Sequence, residues 1–523
     1  MKRLLTVFIT LVFVLTALAV PSSFAAKDSE SGTGDSERST KTIKKDTDWF
    51  DEDDPKKEYS ITTEAQLIGL ASLVNEQQER WKDRRFETFE GVTFTLNKDI
   101  RLTREWTPIG SGTVSYFAGI FDGNGHTISG LNIDALTGNT GFFGYVTGEV
   151  RDLNIAGKIK SGDSNSGGIA GQTTASSRII NCSADVEISA RDKTGGIVGY
   201  NDNGRVEGCR NFGDISGTIK VGGVVGENWG GIISECSNEG VVKSSDRGVA
   251  TYGTGGIAGR SVASTAEVSQ SFNRGEINSV TEATGGIVGY TNARNSTVTD
   301  CYNLGDIHVK DAERDGDLVK SAAGGIVGTV GTDGIFVSNC YFAGNITGAD
   351  MTGGIIGRYI YNDYRGDSRE ELYITNNYYL NDTVKYGIGD NNGEGGMDLQ
   401  QSVEGLAQGS LRSMTSALGA AYKKDSSGLY GNSGYPVLRW QEPVSNEEKS
   451  YISEISRDIQ EKLDDYLVAS ADKKRHGQVI MDFFNPGDML SRSLVLFTDA
   501  KEKLKGADTT DHRENEDIRQ ENR

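Results

Sequence analysis

Gly167-Gly168-Ile169-Ala170-Gly171 is the first of seven copies of one phrase, Gly-Gly-(Ile/Val)-(Ala/Val/Ile)-Gly. The second glycine of each copy stands at 168, 196, 223, 256, 286, 325 and 354, so the steps are 28, 27, 33, 30, 39 and 29 residues. A degenerate copy, Gly141-Phe142-Phe143-Gly144, precedes them. This period is typical of repeat arrays, whose units bury their apolar faces only by stacking on their neighbours.

The segments between the phrases indicate strands and not helices. They are short runs of Ile, Val and Thr bounded by Gly, Asn and Asp, and no period of 3.6 residues runs through them. This pattern is typical of strands joined by tight turns. We therefore predict an all-β fold, a parallel β-solenoid (β-helix) of about eight or more coils over residues 58–440.

Alignment of the repeats gives columns of like residues. In a parallel stack, equivalent residues of successive coils lie about 4.8 Å apart, so each column is expected to form a ladder. The apolar columns are Ile179, Val206, Ile233, Val268, Val298, Val337 and Ile188, Ile215, Val242, Ile277, Ile307, Ile346. The other columns are Cys182, Cys209, Cys236, Ser271, Cys301, Cys340; Asn211, Asn238, Asn273, Asn303; and Gly213, Gly240, Gly275, Gly305, Gly344.

Each kind of column has its own physical role. Apolar ladders bury surface at about 25 cal/mol per Å², which drives stacking. Asparagine amides can hydrogen-bond from coil to coil, which satisfies polar groups at a tight inward turn. The glycine columns mark corners where the backbone needs a positive φ or where a side chain would not fit.

The repeated phrases resemble a known family. Thr194-Gly195-Gly196-Ile197-Val198-Gly199-Tyr200 and Asp300-Cys301-Tyr302-Asn303-Leu304-Gly305-Asp306-Ile307 are similar to the GLUG repeat of bacterial extracellular proteins. The lead-in Phe117-Ala118-Gly119-Ile120-Phe121-Asp122-Gly123-Asn124-Gly125-His126 is similar to it too. The resemblance covers roughly residues 60–440 and implies a β-solenoid displayed outside the cell, often within adhesin-like proteins. It implies no shared catalytic residues.

Some immunoglobulin A metallopeptidases carry similar repeats, but their protease domain needs a His-Glu-x-x-His zinc site. The four histidines of this chain are His126, His308, His476 and His512, and none has that spacing. The sequence therefore predicts no such metal centre.

Composition and the N-terminus favour an exported protein. Asp and Glu outnumber Lys and Arg by 74 to 54, and a net charge of −20 argues against a nucleic-acid partner. Residues 1–25 read as a signal peptide, with Lys2-Arg3, an apolar stretch over 4–20 and Ser23-Phe24-Ala25 before the cleavage site. We expect an extracellular or cell-envelope location and no integral membrane span after cleavage.

All five cysteines fall in one column, Cys182, Cys209, Cys236, Cys301 and Cys340. Export would ordinarily suggest disulfides. Side chains that leave adjacent coils in the same direction, however, fit the disulfide torsion poorly. No Cys-x-x-Cys pair suggests a metal site. We therefore expect buried free thiols, with disulfides as the alternative, and predict no metal and no cofactor.

The segments outside the array divide by composition. Residues 26–57 are charge-dense and predict a disordered linker. Thr63 with Gln66 predicts a capped helix whose apolar face, Leu67, Leu70, Ala71 and Val74, covers the first coil. Residues 441–506 predict a helical segment that caps the far end or pairs with another protein, and residues 507–523 a charged disordered tail.

An enzyme on a β-helix is the alternative to a binding protein. Asp122 with His126 is the local catalytic candidate, although a tight Asn-Gly corner explains the same residues. The acidic residues Asp214, Glu276 and Asp306 recur beside the same corner in several coils. Recurrence indicates an architectural role, because a catalytic constellation would appear once.

One column predicts a ligand-binding surface. The residue after the Cys position is Phe272, Tyr302, Tyr341 and Tyr378 in the later coils. If Cys points inward, its successor points outward, which predicts an exposed aromatic stripe suited to a glycan or a partner's apolar surface. The alternative is that these rings stack on each other or pack under the insertions of the later coils. We predict adhesion or ligand binding without catalysis, with a carbohydrate-active enzyme and a passive spacer as alternatives.

Overall fold

The computed structural model describes part of the chain, and all the described residues belong to one compact unit, residues 41–444. They are residues 44–51, 55–76, 89–135, 138–162, 164–245, 251–310, 313–314, 317–318, 320–331, 335–360, 373–391, 403–425, 430 and 432–441. The predicted signal peptide 1–25, the tail 507–523 and all but the first residue of the predicted helical segment 441–506 lie outside them.

A complete coil of the described chain passes through four parallel sheets, which we number in the order met after a repeat begins. Sheet 1 contains Ser166–Gly167, Asp192–Gly195, Ile219–Gly222, Gly253–Gly255, Ala283–Gly285, Ala322–Gly324 and Met351–Gly353. Sheet 2 contains Phe143–Tyr145, Ala170–Thr173, Val198–Asp202, Val225–Trp229, Ala258–Val262, Val288–Thr291, Val327–Val330, Ile356–Tyr359 and Ile388–Asn391.

Sheets 3 and 4 complete the coil. Sheet 3 contains Glu58–Ile61, Thr93–Leu96, Ile120–Asp122, Glu149–Arg151, Arg178–Ile180, Arg205–Glu207, Ile232–Ser234, Glu267–Ser269, Thr297–Thr299, Phe336–Ser338 and Tyr373–Thr375. Sheet 4 begins with Ile100–Arg101, Thr127–Ala135, Asn154–Ser161 and Ser183–Ser189. It then divides into two rows: Arg210–Asn211, Ser237–Asn238, Phe272–Asn273, Tyr302–Asn303, Tyr341–Phe342, Asn377–Leu380, Val403–Leu406; and Ile215–Gly217, Val242–Ser244, Ile277–Ser279, Ile307–Val309, Ile346–Thr347.

The predicted columns are stacked in register. Ile179 pairs with Val206, and Val206 pairs with Ile233, in parallel strands of successive coils. The same order continues through Val268, Val298 and Val337, all buried. The prediction of a parallel β-solenoid is therefore confirmed, and its interior consists of rows that run along the stack.

A bend separates the apolar column from the Cys column, which is why the step from one to the other is three residues and not the two of a regular strand. The residue just before the Cys position has a positive φ, for example 51° at Asn181, 53° at Glu235 and 54° at Asp300. This left-handed conformation turns the chain from sheet 3 into sheet 4. Asparagine and aspartate tolerate it better than most residues, and they stand at several of these positions.

In four repeats the second glycine of the pair lies against the asparagine ladder: Gly196, Gly223, Gly256 and Gly286. A Cβ on Gly196 would lie 2.3 Å from Asn211 Cγ, and one on Gly223 would lie 2.3 Å from Asn238 Cγ. The Gly213 column is close-packed for a similar reason, since a Cβ there would lie 2.1 Å from the Val186 carbonyl oxygen. Lack of space, and not positive φ, explains these columns.

The first coil is covered by a helix, Glu64–Asn75. Its capping box is present: the Gln66 amide N–H donates to Thr63 Oγ1 at 3.2 Å, and the Thr63 amide N–H donates to Gln66 Oε1 at 3.2 Å. The predicted apolar face is buried and belongs to the same core as the first coils: Leu67, Leu70, Ala71, Val74. The helix therefore closes the N-terminal end of the core.

The predicted linker 26–57 is too long at its C-terminal end. Residues 44–51 lie against the helix, where the Asp46 amide N–H donates to the Ala65 carbonyl at 3.0 Å. The ring of Trp49 packs edge-on against Tyr59 and Phe94, with centroids 5.1 Å and 6.0 Å away. Aromatic burial orders this stretch despite its many charged neighbours.

The described chain after Val403–Leu406 does not form another coil. It forms two short helices, Gln408–Leu411 and Thr415–Leu418, and an antiparallel hairpin of Tyr422–Lys423 with Val437–Leu438. A second antiparallel hairpin, Glu313–Arg314 with Asp317–Leu318, lies in an insertion. The last strand of the solenoid is therefore Val403–Leu406, and the predicted boundary at residue 440 is wrong. We call the described residues between 408 and 441 the C-terminal cover.

Candidate functional site

The four residues predicted to form an exposed stripe face outward but are not exposed. They form one apolar cluster with residues of the C-terminal cover. Their exposed fractions are small: Phe272 4%, Tyr302 0%, Tyr341 0%, Tyr378 9%. The expectation of an exposed binding stripe is therefore corrected, since alternation gave the direction of these side chains correctly but a later segment lies over them.

The rings of this aromatic column also stack on one another along the solenoid. Phe272 and Tyr302 have centroids 4.9 Å apart and an interplanar angle of 3°, and Tyr302 and Tyr341 are 5.0 Å apart at 10°. Tyr341 pairs in register with Tyr378 of the next coil. Strand spacing places the rings at stacking distance, so the column is an aromatic ladder.

Hydrogen bonds attach the C-terminal cover to this ladder. The Tyr422 hydroxyl contacts the carbonyl oxygens of Cys301 at 3.1 Å and Asn339 at 2.9 Å, and it can donate to one of them at a time. Asn432 Nδ2 donates to the Tyr341 hydroxyl at 3.0 Å. Burial raises the pKa of Tyr341 and of Tyr422, so both side chains stay neutral.

A buried arginine joins the two parts. Arg274 Nη2 donates to the carbonyl oxygen of Tyr430 at 2.8 Å and to Asn432 Oδ1 at 3.0 Å, while its Nη1 lies 3.2 Å from Glu239 Oε1. Burial raises the pKa of Glu239, and Arg274 opposes that rise. The guanidinium therefore belongs to the interface and is not available to a ligand.

The cysteine column consists of buried free thiols. Each thiol contacts a carbonyl oxygen of the preceding coil and one of its own coil; for Cys209 both distances, to Ile179 and Glu207, are 3.4 Å. Burial raises the pKa of Cys182 and Cys236. At Ser271 the chain replaces the thiol with a hydroxyl that donates to the Ser269 carbonyl at 2.7 Å. The column has a packing role.

The predicted asparagine column is a hydrogen-bonded ladder. Asn211 Nδ2 donates to Asn238 Oδ1 at 2.7 Å, Asn238 to Asn273 at 2.7 Å and Asn273 to Asn303 at 2.8 Å. The second hydrogen of each amide goes to a carbonyl oxygen two residues on. All four side chains are fully buried, so the ladder is architectural.

A second, shorter ladder was not predicted. Asn201 Nδ2 donates to Asn228 Oδ1 at 2.8 Å, and Thr173 Oγ1 donates to Asn201 Oδ1 at 2.7 Å. This column reads Thr, Asn, Asn, Ser and Thr in successive coils, so no single residue type reveals it. A polar residue at a fixed offset after the Gly-Gly phrase is the signal that could have found it.

The catalytic candidate at Asp122 and His126 is a corner. Asp122 Oδ1 accepts the Asn124 amide N–H at 2.8 Å, and its Oδ2 accepts Arg151 Nη2 at 2.9 Å. His126 Nδ1 lies 3.2 Å from Asp99 Oδ1. The Asp122 carboxylate and the His126 imidazole have separate partners, which agrees with the tight Asn-Gly corner given above as the alternative to a catalytic pair.

The recurrent acidic residues also serve the corners. Asp214 Oδ1 accepts the Val241 amide N–H at 2.9 Å, and Asp306 Oδ1 accepts the Asn345 amide N–H at 2.8 Å. Glu276 instead accepts Asn278 Nδ2 at 2.8 Å. Two of these carboxylates therefore connect one coil to the backbone of the next.

The outward column of sheet 2 holds an ionic cluster that the sequence did not indicate. Glu227, only 4% exposed in its side chain, bonds Arg260 and lies 3.7 Å from Lys193 Nζ and 3.6 Å from Lys220 Nζ. Lys220 also pairs with Asp192 at 3.1 Å. The carboxylate is enclosed by cations from sheets 1 and 2, so it links the two sheets and offers no free group for chemistry.

An open depression lies where sheet 2 turns into sheet 3. It has a volume of about 480 Å³, and its lining includes Ser176, Arg178, Asn203, Arg205 and Ile232. We call it the corner notch. Arg178 and Arg205 pair in register on adjacent strands, with side chains 55% and 44% exposed. The next three rungs of this ladder are Ile232, Glu267 and Thr297, so the pair of arginines does not recur there.

A metal-binding cluster and a membrane-spanning helix are both absent from the described residues. No group of three or more His, Cys, Asp or Glu side chains there is placed to hold a metal ion. No helix in that part of the chain has the length and apolar character to cross a membrane.

The GLUG motif model matches residues 194–216, which make up most of one coil. Halomucin of Haloquadratum walsbyi is 34% identical over 95 residues, which are 18% of this chain and 1% of that protein. The chain thus spans a very small part of the length of this relative.

A solved structure, of a Bacteroides ovatus protein described provisionally as an immunoglobulin A1 protease, was also found. The two chains are 19% identical in sequence, and their superposition has a TM-score of 0.38. The match covers 73% of this chain and 92% of the Bacteroides ovatus chain. A score this low supports no functional argument.

Proposed function

We propose that this GLUG-repeat β-solenoid is an exported surface protein that acts in adhesion or in binding a glycan or a protein ligand, without catalysis. The main support is the stack itself: the interior columns repeat in register from coil to coil, which makes a long scaffold whose outer side chains are free to vary. Similarity to a short part of Halomucin supports an extracellular setting.

The chemistry-bearing side chains of the described residues support a non-catalytic role. Asp122 is bonded to Arg151, Glu227 is enclosed by three cations, and the thiols are buried. Glycoside hydrolysis needs two carboxyl groups about 5–10 Å apart across a bound sugar. The carboxylates in the corners are instead occupied by backbone N–H groups of the next coil.

The test is a binding screen of the secreted chain against a glycan array and against extracellular proteins, with products assayed in parallel. We expect saturable binding and no release of reducing ends or unsaturated sugars. Release of such products would support the carbohydrate-active enzyme instead. An absence of binding to every class of ligand would support the passive spacer.

A further inference from the structure

We propose that the corner notch is a glycan-binding site for a carboxylate-bearing sugar, such as a uronic or sialic acid residue. This inference rests on the proposed binding function and names the ligand class and the site. The evidence is the shape of the corner, the two adjacent exposed arginines and the polar groups beside them.

The notch exists because the corner loops differ in length. Four residues lie between Thr173 and Arg178, but only three lie between the paired residues Asn201 and Arg205 of the next coil. Three also lie between Asn228 and Ile232, and five lie between Ser261 and Glu267 of the following coil. Two short corners between longer ones leave a depression, and its volume of about 480 Å³ lies within the range of small-ligand sites.

The two arginines supply a recess for an anion. Arg178 and Arg205 occupy successive rungs of one ladder, about 4.8 Å apart along the stack, where like charges disfavour each other. Arg178 makes no guanidinium hydrogen bond within the described chain; its nearest carboxylate oxygen, on Glu149, is 3.7 Å from Nε. Adjacent guanidinium groups suit a carboxylate, which accepts paired hydrogen bonds.

The carboxylate of Glu207 competes for Arg205, but the ion pair between them is weak. Arg205 Nη1 lies 3.3 Å from Glu207 Oε2, and both side chains are more than a third exposed. Exposed ion pairs of this kind contribute little, so a ligand can replace this contact at small cost. The pocket lining in the described chain contains two arginines and no carboxylate.

The neighbouring groups favour a sugar over an acidic peptide. Asn203 and Ser176 line the notch, and both are exposed. Their amide and hydroxyl groups can bond sugar hydroxyls. The net charge of −20 disfavours densely charged polyanions and leaves sparsely charged acidic glycans.

The experiment measures binding of the full chain to a glucuronate-terminated oligosaccharide, to its carboxyl-reduced counterpart and to free glucuronic acid, by calorimetry at low and moderate salt. We expect the acidic oligosaccharide to bind about tenfold or more tightly than the reduced one, because a charge-assisted pair is worth at least 1.4 kcal/mol. Free glucuronic acid is expected to bind more weakly, and added salt to weaken both acids.

Two variants locate the site. Arg178→Gln/Arg205→Gln is expected to lose the preference for the carboxylate, and Ser176→Ala to weaken the binding of both oligosaccharides by a similar factor. Arg101→Ala, an exposed arginine on sheet 4, is the matched control and should bind as the wild type does. Thermal melting verifies that each exposed substitution leaves the fold intact.

The outcomes separate the two proposals. Equal binding of the acidic and reduced sugars, or full binding by the double arginine variant, overturns the proposed site in the corner notch. This holds even if other ligands still bind to the protein. Failure of the wild type to bind any of these sugars also overturns it. The general binding function fails only if the wider ligand screen is negative too.

Discussion

Asn238 Nδ2 donates a hydrogen bond of 2.7 Å to Asn273 Oδ1, although 35 residues separate the two in the chain. The second hydrogen of Asn238 goes to the Gly240 carbonyl oxygen at 2.8 Å, and its Oδ1 accepts from Asn211 at 2.7 Å. One fully buried side chain thus connects three coils. Buried networks of this kind are costly when one member is missing, because the remaining groups lose their partners.

Substitution Asn238→Ala should therefore destabilise the protein strongly. It removes three hydrogen bonds and leaves a buried amide of Asn211 and a buried carbonyl of Asn273 incompletely satisfied, which predicts a loss of about 2–4 kcal/mol. Denaturant unfolding of the variant measures the change. Asn278→Ala, which removes an outward side chain of the neighbouring coil, should cost less than about 0.5 kcal/mol. Equal effects of the two substitutions would contradict the role of the ladder.

The Gly-Gly phrase gives a second prediction, at Gly256. A Cβ there would lie 2.2 Å from the Gly286 carbonyl oxygen and 2.4 Å from Asn273 Cγ. Neither the backbone nor the ladder can move freely, so Gly256→Ala should cost about 3 kcal/mol or more. Gly112→Ala is the control, because a Cβ at that position meets nothing within 4 Å. Similar melting temperatures for the two variants would disprove the packing explanation.

The columns show how much a repeat reveals. The spacing of the Gly-Gly phrases predicted the stack, and residues such as Val206 and Asn211 lie in the register that alignment predicted. Equivalent residues in a stack share one environment, so the sequence states each requirement several times. The Asn181 bend, likewise, follows from the three-residue interval between two inward columns.

Features that occur once were harder to predict. The cover of Tyr302 and Tyr341 comes from residues more than 80 positions away that carry no repeat, and strand alternation gives a direction without saying what lies over it. The corner notch has a sequence signal that could have been used, since the corner before Arg205 is one residue shorter than the corner before Arg178.

A third prediction concerns the C-terminal cover. Tyr422→Phe keeps the ring but removes the hydroxyl that contacts the carbonyl oxygens of Cys301 and Asn339. The variant should loosen the cover by about 1–2 kcal/mol while the coils keep their stability. Amide hydrogen exchange measures the cover and the coils separately. In the variant we expect faster exchange than in the wild type at Tyr422 and Leu438, and unchanged exchange at Val206. Tyr386→Phe, at a residue 49% exposed, should change neither region.

A fourth prediction is a loss of stability in alkali. Burial raises the pKa of Tyr200 to about 12 and also raises the pKa of Tyr302 and Tyr341 above the usual value near 10. Between about pH 10 and 12 the unfolded chain loses these protons while the folded chain keeps them, so stability is complete below pH 10 and falls as pH rises.

Denaturant midpoints at several pH values measure this loss. The variant Tyr302→Phe/Tyr341→Phe should show a shallower decline, because two of the groups that titrate only after unfolding are gone. Phenylalanine already occupies the same ladder at Phe272. Complete tyrosinate formation in a chain that remains folded near pH 11 would show that the ladder is open to solvent.

The last prediction concerns the cysteine column. The five thiols are buried and free, so a thiol reagent should not reach them in the native protein. Burial also raises the pKa of Cys182, Cys236 and Cys301. Denaturation without reductant should make all five thiols accessible to the reagent.

The column also predicts that Cys236→Ser is tolerated at a cost of about 1 kcal/mol, because Ser271 holds the same position and donates to a carbonyl of its own coil. Cys236→Phe should prevent folding, since the rows above and below leave no room for a ring. Rapid labelling of the folded chain, or a disulfide between neighbouring rungs, would show that the column is accessible.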